Sequence, residues 1–144
     1  MKILSVDLGD ARTGIAVCDK FEMLASPVGV IHEKNMDVLL KKVAAIVLEQ
    51  KAERIVVGYP KKLDNSVGER AEKCAAFAEK LEKKTGVPAA LWDERNTTVA
   101  ATNILNTTDT RGKKRKDVID AVAAVIILES YMAYRKANPT ASSQ

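Results

Sequence analysis

The succession of apolar runs predicts an α/β domain, a mixed sheet with helices on its faces. Two observations carry this. The segment before residue 32 holds three strand-like stretches joined by short polar turns, as an antiparallel meander does. From Asp37 onward, amphipathic helical stretches alternate with short apolar strands, as in β-α-β crossovers. The predicted order is β-β-β-α-β-α-β-α-α. A doubly wound dinucleotide-binding fold would alternate from the start, and its G-x-G-x-x-G turn is absent.

Residues 2–7 read as the first strand, an apolar run that ends at Asp7. Gly9 to Gly14 is a turn, and Ile15-Ala16-Val17-Cys18 returns from it as the second strand. Met23 to Ile31 reads as a third, interrupted by Pro27 and Gly29. Asp37 to Gln50 is helical, with Leu39, Val43, Ile46 and Val47 at helical spacing. Arg54-Ile55-Val56-Val57-Gly58 is continuously apolar after its first residue, which suits a parallel strand buried on both faces. Ser66 to Lys84 is the next helix, opened by the capping box Ser66 and Glu69 and closed by Gly86 and Pro88. Ala89-Ala90-Leu91-Trp92 is another buried strand, leading into Asp93-Glu94-Arg95. Thr97 or Thr98 caps a predicted helix over Val99 to Leu105. A polar basic loop follows, then a long last helix from about Asp117 to Arg135.

The chain has 144 residues, a length that suits one domain of roughly 100–150 residues. This excludes a large two-domain enzyme with an interdomain cleft. Residues 1–137 are read as that domain and 138–144 as a frayed, disordered tail. Cys18 and Cys74 are too few for a disulfide scaffold and lie in apolar surroundings, so they read as buried thiols in a reducing compartment. One His and two distant Cys leave no zinc site. The N-terminal apolar run stops at Asp7, far short of a signal peptide core or a membrane span. A soluble, cytoplasmic protein with no membrane partner is expected.

The formal net charge of +4 is unevenly spread. Arg111-Gly112-Lys113-Lys114-Arg115-Lys116 holds five positive charges and no negative one. Without it, 18 basic residues face 19 acidic ones, a net of −1. The basicity is therefore local.

Three groups of acids stand out. Asp7 closes an apolar strand, where a carboxylate is costly to desolvate without a partner, a metal or water. Asp93 and Glu94 end another strand and point to opposite faces, so only one of them can join Asp7. Asp117 and Asp120 are three apart on the last helix and share a face. Ala121, Ala123 and Ala124 beside them let that helix approach the sheet closely. Singly, each group also fits a plainer role: a turn Asp held by backbone N–H groups, a solvated strand end, or acids in a first helical turn favoured by the helix dipole. Together, three carboxylates without His or Cys suit Mg²⁺ or Mn²⁺ and phosphoryl chemistry. A pair of such ions activates water and stabilises the leaving oxygen of a phosphodiester.

The phosphate-binding candidates flank these acids. Arg12 sits in a Gly-bounded turn, and Lys61 and Lys62 follow a strand exit. Arg95 adjoins the mid-chain acids, and Arg111, Lys113, Lys114, Arg115 and Lys116 precede the last helix. A charge run beside a metal site fits a grip on a polyanion's phosphates. Only Trp92, two Phe and three Tyr are present, so an extended base-stacking platform is not expected. Recognition should be of backbone and shape.

These residues, in this order, resemble the YqgF/RuvX family of Holliday junction resolvase-like bacterial proteins. The matching pieces are Asp7-Leu8-Gly9 with Gly14, Val57-Gly58-Tyr59-Pro60, Trp92-Asp93-Glu94-Arg95 with Thr98, and Lys116-Asp117-Val118-Ile119-Asp120-Ala121-Val122-Ala123-Ala124. The resemblance implies an RNase H-like fold: a five-stranded mixed sheet, with a three-stranded antiparallel meander plus parallel strands, flanked by helices. It implies a metal-dependent nuclease, a hydrolase with proposed roles at the 5′ end of pre-16S rRNA or on branched DNA. Carried over residue by residue, Asp7, Glu94 and Asp120 match the family's acids, with Asp93 an alternative to Glu94 and Asp117 an assisting residue.

The favoured reading is a nuclease of structured RNA in ribosome biogenesis, a monomer or weak homodimer. Three rivals stand beside it. A junction resolvase would use the same acids in a symmetric dimer. A catalytically silent RNA- or ribosome-associated factor would use only the basic surface. A nucleotide-binding ATPase also resembles Asp7-Leu8-Gly9 with Gly14, but it needs a second such loop and a second lobe, which this chain lacks.

Overall fold

In a computed structural model, residues 1–9, 11–59, 69–93 and 112–137 are described, with 112–120 placed as helical backbone. Alternation along Ile3–Asp7 (β1) sends Leu4 and Val6 to one face and Ile3, Ser5 and Asp7 to the other. β1 pairs antiparallel with Arg12–Cys18 (β2), which pairs antiparallel with Ala25–His32 (β3). This is the predicted meander. The helix Met36–Gln50 (α1) then carries the chain across to Arg54–Tyr59 (β4), parallel to β1. The helix Glu69–Thr85 (α2) leads to Ala89–Asp93 (β5), parallel to β4. The sheet order is β3-β2-β1-β4-β5, and the helix Gly112–Ala137 (α3) follows.

Local signals set the helix ends. The Asn35 side chain accepts from the N–H groups of Asp37 and Val38, which caps α1. Gly86 adopts the left-handed conformation at φ 74° and its N–H closes α2 on the Glu82 carbonyl. Packing then divides the core by strand parity. Leu4, Val6, Ile55 and Val57 meet α1 and α2 on one face. Ile3, Ala16 and Val56 meet Ala124, Ile127 and Leu128 of α3 on the other. Cys18 and Cys74 are buried and form no disulfide, as expected.

Three element starts among the described residues differ by two residues or more from those the sequence predicts. β2 begins at Arg12, not Ile15, so Arg12 to Gly14 belong to the strand and not to the turn, paired with β1 and β3 on either side. β3 begins at Ala25, not Met23. The Asp19 side chain accepts from the Met23 and Leu24 N–H groups at 2.7 and 3.3 Å, so those residues belong to the turn. α3 begins at Gly112, so Lys113 to Lys116 are helical rather than a loop, and Asp117 lies inside the helix, not at its cap. Lys and Arg are good helix formers, and here that propensity prevails over their mutual repulsion. The capping box at Ser66, the predicted helix over 99–105 and the tail 138–144 lie outside the described residues.

The far end of α3 is clamped to the β2–β3 turn. Arg135 Nε donates to Glu22 Oε1 at 2.7 Å, and the Met1 amine donates to Glu22 Oε2 at 3.0 Å. Burial pushes the Glu22 carboxyl up, but the Arg135 hydrogen bond and the Met1 amine outweigh it and hold it below the usual range. Its folded value therefore lies below its unfolded one. The clamp's contribution is present above the unfolded value and is lost as pH falls through the folded one. Glu22→Gln should lower urea stability at neutral pH, and the difference from wild type should shrink to nothing well below about pH 4. Urea titrations across that range check it.

Candidate active site at the carboxyl end of β1

The end of β1 offers one carboxylate in a row of small neighbours. Asp7 pairs with Gly14 on β2 and with Gly58 on β4, and Gly58 pairs with Trp92 on β5. Paired residues share a face, so the row Gly14–Asp7–Gly58–Trp92 lies on the face that α3 covers. The glycines paired with it on either neighbouring strand carry no Cβ, which permits a close approach along the sheet at the half-buried Asp7. Trp92 confirms which face this is. Its Nε1 donates to Ser130 Oγ at 3.1 Å, and its ring meets Tyr131 edge-on at 5.5 Å. Its role is packing, as its place inside an apolar strand predicts.

The turn after β1 is shaped by Gly9. A Cβ there would collide with the Arg12 carbonyl, so only glycine allows the chain to double back. This positions Arg12 at the start of β2, on Asp7's face by alternation. Arg12 pairs with His32, the chain's one histidine, which in sequence bears only on the absence of a zinc site. Its pairing across from Arg12 appears only once the meander is built.

Helix α3 is registered on β1 by a residue that does not stand out among the sequence candidates. Ser5 is fully buried, and its Oγ donates to the Ala124 carbonyl at 2.6 Å. That bond requires the helix backbone to sit close against the strand, as its alanines predict. Asp7 lies two residues beyond Ser5 on the same face, about 7 Å along the strand. Asp120 lies four residues before Ala124, about 6 Å along the helix. The helix runs antiparallel to β1, because Tyr131 bonds Arg54 beside Ile3 and Arg135 bonds Glu22 near Met1. The helix position of Asp120 is therefore brought to Asp7's end of the strand. A polar residue two before Asp7 in an apolar strand is the signal in the sequence that points to Ser5.

The other candidates divide as follows. Asp93 pairs with Tyr59, one step past the Gly58–Trp92 pair, so it lies on the face opposite Asp7. Asp117, Lys113, Lys114, Arg115 and Lys116 occupy the first two turns of α3. Glu94, Arg95, Lys61, Lys62 and Arg111 lie outside the described residues. Among the described residues, no three His, Cys, Asp or Glu side chains gather as metal ligands. On Asp7's own strand end, the donor among the described residues is a carboxylate, which suits a hard divalent cation. No described helix is long and apolar enough to cross a membrane.

A family model described as "RuvX: Holliday junction resolvase" matches residues 1–134. The chain belongs to the RuvX family. Full-length relatives agree. A protein of Lachnospira eligens named "Putative pre-16S rRNA nuclease" is 42% identical over 135 residues, covering 92% of this chain and 96% of its own. One of the same name from Halothermothrix orenii is also 42% identical, covering 94% and 96%. Among solved structures, Thermus thermophilus RuvC bound to a Holliday junction superposes with a TM-score of 0.63 at 14% identity, over 96% of this chain and 97% of that one. The fowlpox virus Holliday junction resolvase gives 0.56 at 15%, over 93% and 99%. At such identities these likenesses show the fold alone, the RNase H-like sheet expected for a RuvX protein.

Ser5→Ala should destabilise this RuvX protein by about 1–3 kcal/mol, because it strips a buried carbonyl of an added partner and opens a gap at the crossing. Ser5→Thr should recover part of that stability. Urea unfolding of both variants measures it.

Proposed function

We propose that the chain is a metal-dependent nuclease of structured RNA, acting in maturation of the 5′ end of pre-16S rRNA. The observation that carries this reading is the Asp7 row, a carboxylate between two glycines beneath the helix position of Asp120. The name shared by the full-length relatives supports the RNA substrate.

Asp7, Glu94 and Asp120 hold Mg²⁺ or Mn²⁺ in this proposal. Glu94 is preferred to Asp93 because Asp93 lies on the face away from Asp7. A bound ion of this kind supplies a Lewis acid that activates water and stabilises the departing oxygen. The chain's own part is to hold the carboxylates at one sheet end and grip the strand. Asp117, one turn before Asp120 on α3, assists by adding negative charge nearby. Arg12, Lys61, Lys62, Arg95 and the run from Arg111 to Lys116 hold phosphates. Such work fits a cytoplasmic protein. The second reading, a Holliday junction resolvase, is favoured by the family's description and uses the same acids.

Asp7→Asn should lower cleavage by more than about a hundredfold, since even outer-shell partners of a metal ligand cost about 10–100-fold. Binding should survive. Wild type and variant are assayed with Mg²⁺ and with Mn²⁺ on precursor rRNA and on four-way DNA junctions. Cleavage of junctions alone would overturn the RNA assignment, and undiminished cleavage by the variant would overturn the site.

Replacing Lys113, Lys114, Arg115 and Lys116 with Gln should flatten the salt dependence of RNA binding, by about 0.7–0.9 in slope for each phosphate no longer neutralised. The log–log slope of affinity against salt reads this directly, and an unchanged slope would remove the run from the interface.

A further inference from the structure

One cross-strand pair continues the sheet beyond Asp7's row: Arg12 on β2 and His32 on β3. Arg12 lies two residues before Gly14, the partner of Asp7, and so shares Asp7's face. His32, opposite Arg12, lies on that face too. The ladder sets how close the two are. The Glu33 N–H donates to the Ala11 carbonyl at 3.1 Å, which marks Ala11 and Glu33 as positions of the hydrogen-bonded type. Pair types alternate, so Arg12 and His32 form the other type, with Cα atoms about 4.5 Å apart and side chains at their closest. The bond beyond them also keeps this end of the ladder from fraying.

The surroundings suit an anion. Gly14 is buried, Arg12 half-buried and His32 exposed, so the pair sits at the rim of Asp7's end. β3 is the edge of the sheet, with no described strand beyond it. The neighbouring acid, Glu33, is turned to α1, where it takes the Lys42 ammonium at 3.1 Å and the Asn35 N–H at 3.2 Å. Lys34 is exposed just past the pair. Arginine carries five N–H donors in a fixed fork and imidazole at least one more, and both bind phosphate oxygens. His32 stands about 10 Å across the sheet from β1 and about 7 Å beyond Asp7's row, so a short stretch of one strand can span both.

We propose that Arg12 and His32 together form one phosphate subsite, distinct from the basic run of α3, which takes the RNA backbone where the strand leaves Asp7 toward the edge of the sheet. His32 is a binding residue in it. The subsite rests on the nuclease reading only for why a strand lies at Asp7. It gives the strand two holds on different elements, the start of α3 and the β2–β3 edge. Such contacts position a strand and fix its direction without reading its sequence.

Fluorescence anisotropy of a labelled precursor rRNA fragment with the full chain reads the affinity, and steady-state cleavage is measured beside it. His32→Ala and Arg12→Ala should each weaken binding about three- to tenfold. The double variant should lose less than the product of the two, because both donors share one phosphate. His32→Arg should bind as wild type does. In cleavage, KM should rise with kcat kept, since the subsite holds substrate and transition state alike. The urea midpoint of His32→Ala should match wild type, because the ring is exposed. Asp7→Asn has the opposite signature, cleavage lost and binding kept, so the two readings fail separately. Wild-type affinity in His32→Ala would overturn the subsite and leave the Asp7 site standing. Losses that multiply in the double variant would overturn the shared phosphate. A wild type that binds RNA without cutting it would overturn the nuclease reading, and a loss of affinity in His32→Ala would still uphold the subsite.

Discussion

Helix α3 lies across the sheet with Ala124 against β1, and at that crossing the Ser5 hydroxyl meets the Ala124 carbonyl at 2.6 Å. Everything at the candidate site is measured from this bond. A helix packed on a sheet by apolar side chains alone slides at modest cost, because dispersion is only weakly directional. A buried hydroxyl without its acceptor is costly, so the bond fixes the helix along the strand. Among the described residues, three further polar contacts hold α3: Arg54 with Tyr131, Trp92 with Ser130, and Arg135 with Glu22. They all lie on the carboxyl-terminal side of Ala124. From Ala124 the helix backbone continues back to Gly112 through the positions of Asp120, Asp117 and Lys113 to Lys116.

That placement gives the charge pattern a mechanical meaning. The first turn of α3 holds no acid, and its cations sit where the helix dipole is already positive. Four cationic positions in sequence at a helix start are an unfavourable charge pattern that a polyanion would relieve, so under the proposed function binding and the stability of these turns would be linked. The near-neutral remainder of the chain would then contribute little to non-specific capture.

Much of this is legible in the sequence, because each core face is written in strand parity. Leu4 and Val6 against Ile3, Ser5 and Asp7 already separates the two layers, and Gly86 and Gln50 mark helix ends that the fold keeps within a residue. What escapes are features that depend on partners far away in the chain. Ser5 reads as a flaw in an apolar strand until Ala124 is placed above it. The flanking of Asp7 by Gly14 and Gly58 needs the antiparallel and parallel registers together. Met23 and Leu24 read as strand because they are apolar, but Asp19 claims their N–H groups before β3 can. The start of α3 is hidden because a run of cations reads equally as a solvated loop and as helix.

The two ends of β1 also bear on which substrate the fold suits. Symmetric resolution of a four-way junction needs two acid sites turned toward one junction, related by a two-fold axis that passes between them. The apolar turn with Phe21, Met23 and Leu24 lies beyond the opposite end of the strand from Asp7, past Lys2 and Met1. A pair acting on one junction would have to meet through a face that leaves the two Asp7 ends turned toward each other, whereas trimming a single RNA end asks for one such strand end and no pairing.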